Sequence, residues 1–350
     1  MTHREILLYG ASGYTAQLIV ERAHLDGARP VLAGRSHEKT KAIADQYNLP
    51  FRVFGLEDPA EVEKNLAGIG VVLNCAGPYS RTAMRMAQAC IKVGAHYLDI
   101  TGEIDVFESL AKLADASAPK IMLMPGTGFD VVPSDCLAAH LKRRMPDATS
   151  LTLAFQAIGA PSHGTATTMV ENLHRGGMIR RKGELTPVPA AWATRKIDFG
   201  SGPVPAVSIP WGDVATAWVS TGIADIDVFM AAPAPLILTI KASRYLGGFM
   251  ATAFMQKRLK AQIDKAPAGP NALQRSKGKS RLWGEVRNAQ GKVATARLST
   301  IEAYALTAQT AWDITKRTAR GEGRSGFQTP SMVFGADYIL NFPNTTRIDL

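Results

Sequence analysis

The sequence predicts an α/β fold in two parts: a doubly wound parallel sheet, then a second α+β domain containing an antiparallel sheet. Three observations carry this. Over the first 130 residues, short apolar runs alternate with segments of helical period. A glycine turn stands between the first run and the first helical segment. Beyond about residue 150 the runs change to alternating polar and apolar residues.

The first-half runs are Ile6–Tyr9, Pro30–Ala33, Phe51–Phe54, Val71–Cys75, Tyr97–Ile100 and Ile121–Met124. Ala16, Ile19, Val20 and Ala23 fall on one helix face after the first run. Ala83, Met86, Ala87 and Cys90 repeat that spacing after the fourth. Apolar strands separated by amphipathic helices indicate a parallel sheet covered on both faces, with expected strand order 3-2-1-4-5-6. In the second half, 151–158, 223–230 and the pair 281–286 with 293–299 read as strands, the pair joined by a turn at 287–292. Helices are expected after Gly164, over 235–265, over 300–320, and from Thr329 as N-cap with Pro330 at the first helical position.

At 350 residues the chain is long enough for two domains, and 46% hydrophobic with 20% charged residues excludes a largely disordered chain. Cys75, Cys90 and Cys136 form no CxxC pair and no disulfide framework, which favours a reducing, cytoplasmic setting. No metal-ligand pattern stands out. The N-terminus runs directly into a strand-like stretch, unlike a secretory signal. The most apolar stretch, Leu236 to Met255, is interrupted by Lys241 and Arg244, against a membrane span.

Gly10-Ala11-Ser12-Gly13-Tyr14-Thr15-Ala16 lies between the first strand and first helix. A dinucleotide pyrophosphate needs close backbone approach and the N–H groups of a helix N-terminus. In this reading Gly10 makes the tight turn, Gly13 the close approach and Ala16 the helix–sheet contact, in a Rossmann-type domain. The second strand ends Leu32-Ala33-Gly34-Arg35-Ser36, without the acidic residue that receives an NAD ribose. Arg35 and Ser36 suit a 2′-phosphate instead, favouring NADP(H). Asn74, Ala76 and Gly77 end the fourth strand and are expected to border the nicotinamide half. Asp99 reads equally as a site residue or as a buried strand-end cap.

These motifs, with Tyr97-Leu-Asp-Ile-Thr-Gly-Glu103 and Pro125-Gly-Thr-Gly-Phe-Asp-Val-Val-Pro-Ser-Asp135, resemble the saccharopine dehydrogenase-like oxidoreductases. The likeness is strongest to the compact branch that includes the mycobacterial trans-acting enoyl reductases. It covers 1–135 well and extends through 163–169, 209–213 and 326–330. Ala16 departs from the glycine the family commonly has there. The resemblance implies NADP(H), a two-domain fold and varied substrates. The expected division is an NADP-binding domain over 1–135 and a substrate and dimerisation domain over 136–325. The C-terminal helix and tail, 326–350, are expected to pack back on the first domain.

Hydride transfer requires the protein to position the reactants and supply a proton. Tyr79 and Asp130 follow strand ends, and His163 titrates near neutral pH, so these are the catalytic candidates. Each also has an ordinary reading as a turn or capping residue. Ser134 and Asp135 read as N-cap residues, and Cys75 and Cys90 as small core residues. The resulting expectation is an NADP(H)-dependent oxidoreductase reducing a C=C (enoyl) or C=N bond of a small or acyl-carried substrate. The alternatives are a saccharopine- or opine-type dehydrogenase of a secondary amine, for which Arg81 and Arg175 are candidate anion contacts, and a non-catalytic cofactor-binding scaffold at membranes or lipid bodies.

The formal net charge is +10, but residues 1–150 hold 16 basic and 17 acidic residues. The window 241–297 holds 13 basic and 2 acidic residues, including Lys257, Arg258, Lys260 and Lys265. A localised basic segment suggests an acyl-carrier protein, a CoA phosphate or an anionic membrane surface, with a solvated face as the ordinary reading. Peripheral membrane association therefore accompanies the cytoplasmic expectation. Nucleic acid is disfavoured, because no recognised binding module is present.

Overall fold

The computed structural model describes residues 4–157, 162–172, 176–242, 244, 252–263 and 265–350. The chain divides into two compact units. The first comprises Met1–Val132 and Tyr304–Gly335, and the second Pro133–Ala303 and Ala336–Leu350.

The first unit is a seven-stranded parallel sheet. Its strands are β1 (Glu5–Tyr9), β2 (Val31–Gly34), β3 (Phe51–Val53), β4 (Ile69–Asn74), β5 (His96–Asp99) and β6 (Met122–Met124), with Gly326–Phe327 beside β6. The order 3-2-1-4-5-6 is the expected one, extended by that seventh strand. The order reverses where β1 pairs with both β2 and β4, Tyr9 standing opposite Ala33 and Asn74. Helices α1 (Tyr14–Leu25), α2 (His37–Tyr47), α3 (Pro59–Asn65), α4 (Tyr79–Val93) and α5 (Ile104–Ser117) connect successive strands. The periodic residues do what their spacing implies: Ala16, Ile19, Val20 and Ala23 form the buried stripe of α1. Leu7, Leu8, Val71, Val72, Leu73, Tyr97 and Leu98 are wholly buried, because a parallel sheet covered on both faces leaves its strands no solvent side.

The helix Ala303–Arg317 belongs to this first unit from Tyr304 onward, whereas the sequence placed 136–325 together. The tail is likewise divided. Residues up to Gly335 join the first unit, and Thr346–Asp349 forms an edge strand of the second sheet. An apolar helix face announces that a partner exists and not which one. Leu306, Ala311, Trp312 and Ile314 are buried. Trp312 Nε1–H donates to Asp26 Oδ2 at 3.0 Å, and Lys316 pairs with the same carboxylate at the C-terminal cap of α1.

The second unit is built on a nine-stranded mixed sheet. Antiparallel pairings dominate, as expected, but Asp225–Ala231 runs parallel to Ala148–Ala157. The expected hairpin joins Lys279–Asn288 to Val293–Ile301, closed by Asn288 N–H to the Lys292 carbonyl at 3.1 Å and Lys292 N–H to Asn288 Oδ1 at 2.9 Å. The sheet curls on itself. Arg195, on the edge strand Thr194–Asp198, reaches Glu285 at 2.8 Å and lies 4.7 Å over the Trp283 ring, four strands away in the pairing order. Ala154, Ile197, Phe199, Ala206, Phe229 and Trp283 fill that fold.

Two local expectations need correction. The helix α6 (Val132–Arg144) begins before Ser134 and Asp135, which therefore occupy its first turn and not the N-cap. In place of one helix over 235–265, the described residues show Ala234–Ala242 and Ala253–Ile263, with Thr252 non-helical between them. Phe249 and Met250 lie outside the described residues, as does Arg175. Among the described residues, no helix is long and apolar enough to cross a membrane.

Asp26 anchors a helix some 290 positions downstream. Burial opposes its charge, but hydrogen bonds from Lys316 and Trp312 outweigh that and hold its carboxyl below the ordinary value. Its contribution is therefore present above the unfolded carboxyl range near pH ~4 and lost in more acid solution. Asp26→Ala is expected to cost about 2 kcal/mol at neutral pH, lowering the unfolding temperature by several degrees. Calorimetry of both proteins should show the difference shrinking on acidification; a constant difference refutes the charged anchor.

Candidate active site at the carboxyl edge of the parallel sheet

The loop from β1 to α1 is held tightly from below. Gly10 and Ala11 N–H both donate to the Ala33 carbonyl, at 2.8 and 3.1 Å, and Gly13 N–H donates to the Gly10 carbonyl at 3.0 Å. Gly10 has φ +79°, and a Cβ there would stand 2.8 Å from Ala76 N and 2.9 Å from its Cα. The tight turn expected of Gly10 is present, and it brings the first loop against the loop after β4. Ala11 is wholly buried and its N–H is committed to the fold, whereas Ser12 and Gly13 are exposed and Tyr14 and Thr15 half-buried. Gly13 is the N-cap of α1 and offers no side-chain hydrogen bond to the first turn. A helix start without a side-chain cap, beside a glycine cradle, suits a phosphate.

Arg35 and Ser36 follow β2 at the same edge. Arg35 is exposed and makes no ion pair among the described residues; its charge is felt at Tyr9. Ser36 caps α2, its Oγ 3.4 Å from Lys39 N, so its hydroxyl is shared with the fold. Asn74 is buried and fully engaged. Its carbonyl oxygen accepts Ala76 N–H at 3.1 Å, and its amide reaches Thr82 Oγ1 at 3.3 Å and Tyr97 hydroxyl at 3.4 Å. It shapes the loop that carries Ala76 and Gly77.

A group of acids gathers beyond β4, β5 and β6. Asp99 is wholly buried and joins the loops after β5 and β6. It accepts the Tyr97 hydroxyl at 2.6 Å and the N–H groups of Thr101 and Gly126, each at 2.9 Å. Burial lifts its carboxyl to about 6, against those hydrogen bonds. The strand-end role foreseen for Asp99 is therefore fully visible. Asp130 rests against Gly102, where a Cβ would meet its Oδ2 at 2.7 Å, and burial pushes its carboxyl up to about 7. Tyr79 opens α4, and burial, then the neighbouring Cys75, Asp99, Glu103 and Asp130, hold its hydroxyl well above the ordinary phenol range. Tyr79 and Asp130 thus share one electrostatic neighbourhood, in which burial favours the neutral form of each.

Glu103 organises this group; the sequence places it among the polar groups that converge on this edge, without assigning it the start of α4. Its two carboxylate oxygens accept Tyr79 N–H at 2.8 Å and Ser80 N–H at 3.0 Å, filling the N-terminus of α4. It closes the motif Tyr97–Glu103, but nothing in one sequence tells a reader that it caps a helix 24 positions upstream. Thr307 was also missed: its Oγ1 accepts Phe129 N–H at 3.0 Å, steadying the loop that bears Asp130. His163 lies in the second unit, its Nε2 2.7 Å from the Ala266 carbonyl oxygen.

Asp130 supplies a pH test. Folded, it keeps its proton to about pH 7, against about 3.9 in an unfolded chain, so its stabilising share is complete below the lower value and lost as pH rises through the higher. Asp130→Asn is neutral at every pH. Wild-type unfolding temperature is therefore expected to fall relative to Asp130→Asn between about pH 4.5 and 7.5. Parallel curves would mean that Asp130 ionises normally.

Comparison with known proteins agrees with this geometry. Residues 6–122 match the family model of the saccharopine dehydrogenase NADP binding domain. A trans-acting enoyl reductase of Mycobacterium ulcerans is 37% identical over 154 residues, covering 40% of this chain and 36% of that protein. A human saccharopine dehydrogenase-like oxidoreductase is 27% identical over 180 residues, covering 45% and 42%. The matched segment thus spans little more than a third of the mycobacterial relative. In fold, an apo saccharopine dehydrogenase (L-Glu forming) from Saccharomyces cerevisiae superposes with TM-score 0.67 at 13% identity, covering 99% of this chain and 100% of that one. A homospermidine synthase from Legionella pneumophila in complex with NAD gives 0.62 at 12% identity, covering 97% and 89%. Residues 6–122 thus match the saccharopine dehydrogenase NADP binding domain, and the chain shares the fold of saccharopine dehydrogenase.

Proposed function

We propose that this chain is an NADP(H)-dependent oxidoreductase that reduces a C=C or C=N bond in a small or acyl-carried substrate. The observation that carries the reading is that Tyr79 and Asp130, whose neutral forms burial favours, stand as neighbours at the carboxyl edge of the sheet that bears the Gly10 loop. The nicotinamide supplies the hydride when bound. The chain then has to hold the dinucleotide and deliver a proton. Gly10, Ser12, Gly13, Tyr14 and Thr15 would hold the pyrophosphate, with Arg35 and Ser36 at the 2′-phosphate. Asp130, with a carboxyl near 7, both keeps a proton at neutral pH and releases it readily, which suits a general acid. Tyr79 suits the orienting of substrate by hydrogen bond, since its proton is held more firmly. The name of the mycobacterial relatives favours an enoyl substrate over an imine.

The carrier reading rests on the second unit. Lys257 and Arg258 are exposed on the helix Ala253–Ile263 beside Phe254, which is 68% exposed, while Leu236 and Leu238 are exposed on Ala234–Ala242. Basic charge with exposed aromatic surface suits the phosphopantetheine arm and acidic surface of an acyl carrier, or an anionic membrane face. The side chain of Lys260 lies outside the described residues.

Two measurements test the proposal. Arg35→Ala should weaken NADPH roughly tenfold to more than a hundredfold, about 1.5–3 kcal/mol, and NADH much less. Equal weakening of both removes the 2′-phosphate assignment. Oxidation of NADPH should be followed with a trans-2-enoyl thioester, free and carrier-linked, and with a secondary-amine couple. Turnover of the enoyl thioester that collapses in Asp130→Asn supports the reading. Turnover of the amine couple alone favours the opine-type alternative, and turnover of neither favours a scaffold.

A further inference from the structure

We propose that Tyr304 is a positioning residue of the cofactor site, acting through Tyr14 on the first turn of α1. The proposal rests on the dinucleotide reading above and names a residue that the glycine motif does not contain. Three helices of the first unit have their first turn fixed by a side-chain oxygen. Ser36 caps α2, Asp58 caps α3 through Ala60 N–H at 2.9 Å, and Glu103 takes the first two N–H groups of α4. α1 begins at Gly13, which has no side chain to offer. A carboxylate or hydroxyl there would occupy the N–H groups that a phosphate needs. The turn must then be held by a contact that leaves its N–H groups alone.

Tyr14, the first residue of α1, makes such a contact with its ring. It meets Tyr304 edge to face, with centroids 5.3 Å apart and planes at 83°. Tyr304 sits near the start of the helix Ala303–Arg317, which runs beside α1 in the same direction: Tyr304 meets Tyr14, and Trp312 and Lys316 meet Asp26. That helix is fixed at further points, by Thr307 accepting Phe129 N–H and by Thr310 donating to the Thr127 carbonyl at 2.9 Å. Tyr304 is therefore a ring on a stiff support, pressed against a turn that has no side-chain cap. Without it, the first turn of α1 keeps its sequence and loses its register against the loop, and the ordering has to be supplied by the ligand at the expense of affinity.

The test is binding, read from NADPH fluorescence on titration with the full chain, with NADH in parallel. An edge-to-face pair predicts that Tyr304→Ala weakens both nucleotides by the same factor, about three- to tenfold. Arg35→Ala, in contrast, changes their ratio. Tyr304→Phe keeps the ring and should bind like wild type. Tyr14→Leu removes the same contact from the α1 side, and the double variant Tyr14→Leu/Tyr304→Ala should lose no more than either single one. Asp26→Ala loosens the far end of the same helix and should leave affinity within about twofold. The proposal is overturned if Tyr304→Ala binds as wild type, if Asp26→Ala weakens binding as much, or if the two tyrosine effects simply add. Should Tyr304→Ala fail to fold, Tyr14→Leu with Tyr304→Phe decides the matter alone. Wild-type protein that binds neither nucleotide overturns the cofactor reading and this proposal with it; tight wild-type binding with indifferent tyrosine variants overturns only the proposal.

Discussion

Five helices, α1 to α5, begin at the carboxyl edge of one parallel sheet, and the chain treats the starts of α1 and α4 in opposite ways. The start of α4 is filled by the carboxylate of Glu103, whereas that of α1 is left to Gly13 and the cradle that Gly10 forms against Ala76. Helix N-termini favour anions wherever they are accessible. Filling one with an internal anion and sparing the other leaves the start of α1 open to an external anion. Much of the site follows from that asymmetry, because the anion chosen for α4 is also part of the environment of Tyr79.

Glu103, Asp99 and Asp130 crowd negative charge potential into a space with little water. Asp99 receives three hydrogen bonds, which favour its charged form, and still has its carboxyl lifted to about 6 by burial. Asp130 goes further, to about 7, through burial. Glu103 meets two backbone donors at a helix start, where an anion is best tolerated. Asp99 and Asp130 are thus raised to different degrees in one neighbourhood, while Glu103 meets the donors of a helix start.

The parallel sheet was legible because its signals are local and redundant. Ala16, Ile19, Val20 and Ala23 needed only their own spacing to be placed on the buried face of α1, and the strand order followed from the rules for crossovers. The glycine loop was legible too, with Gly10 at the tight turn expected of it. The missed features are non-local. Glu103 caps a helix 24 positions earlier, and Thr307 steadies a loop 178 positions away. The helix Ala303–Arg317 shows an apolar face that any partner could satisfy, so its assignment to the second domain was a choice of neighbour that periodicity does not make. The break between Ala234–Ala242 and Ala253–Ile263 was missed for a related reason: an apolar run with scattered charges reads as continuous whether or not the helix is.

The route of the chain gives the return helix its meaning. The strand Val293–Ile301 ends two residues before Ala303, and from Tyr304 the chain is part of the first unit. It then lies along α1, steadies the loop of Asp130 through Thr307, and adds the strand Gly326–Phe327 beside β6. The glycine loop and the acid group are therefore both supported by residues encoded far downstream of them. Residues 6–122 carry the family's nucleotide-binding motif, yet Phe129 and Asp26 have their partners beyond residue 303. A segment cut at the end of the motif would keep every residue expected to touch the dinucleotide. It would lose the Asp130 loop itself, Tyr304 against the first turn of α1, and Trp312 and Lys316 against its last, so the first unit is completed only by the return helix.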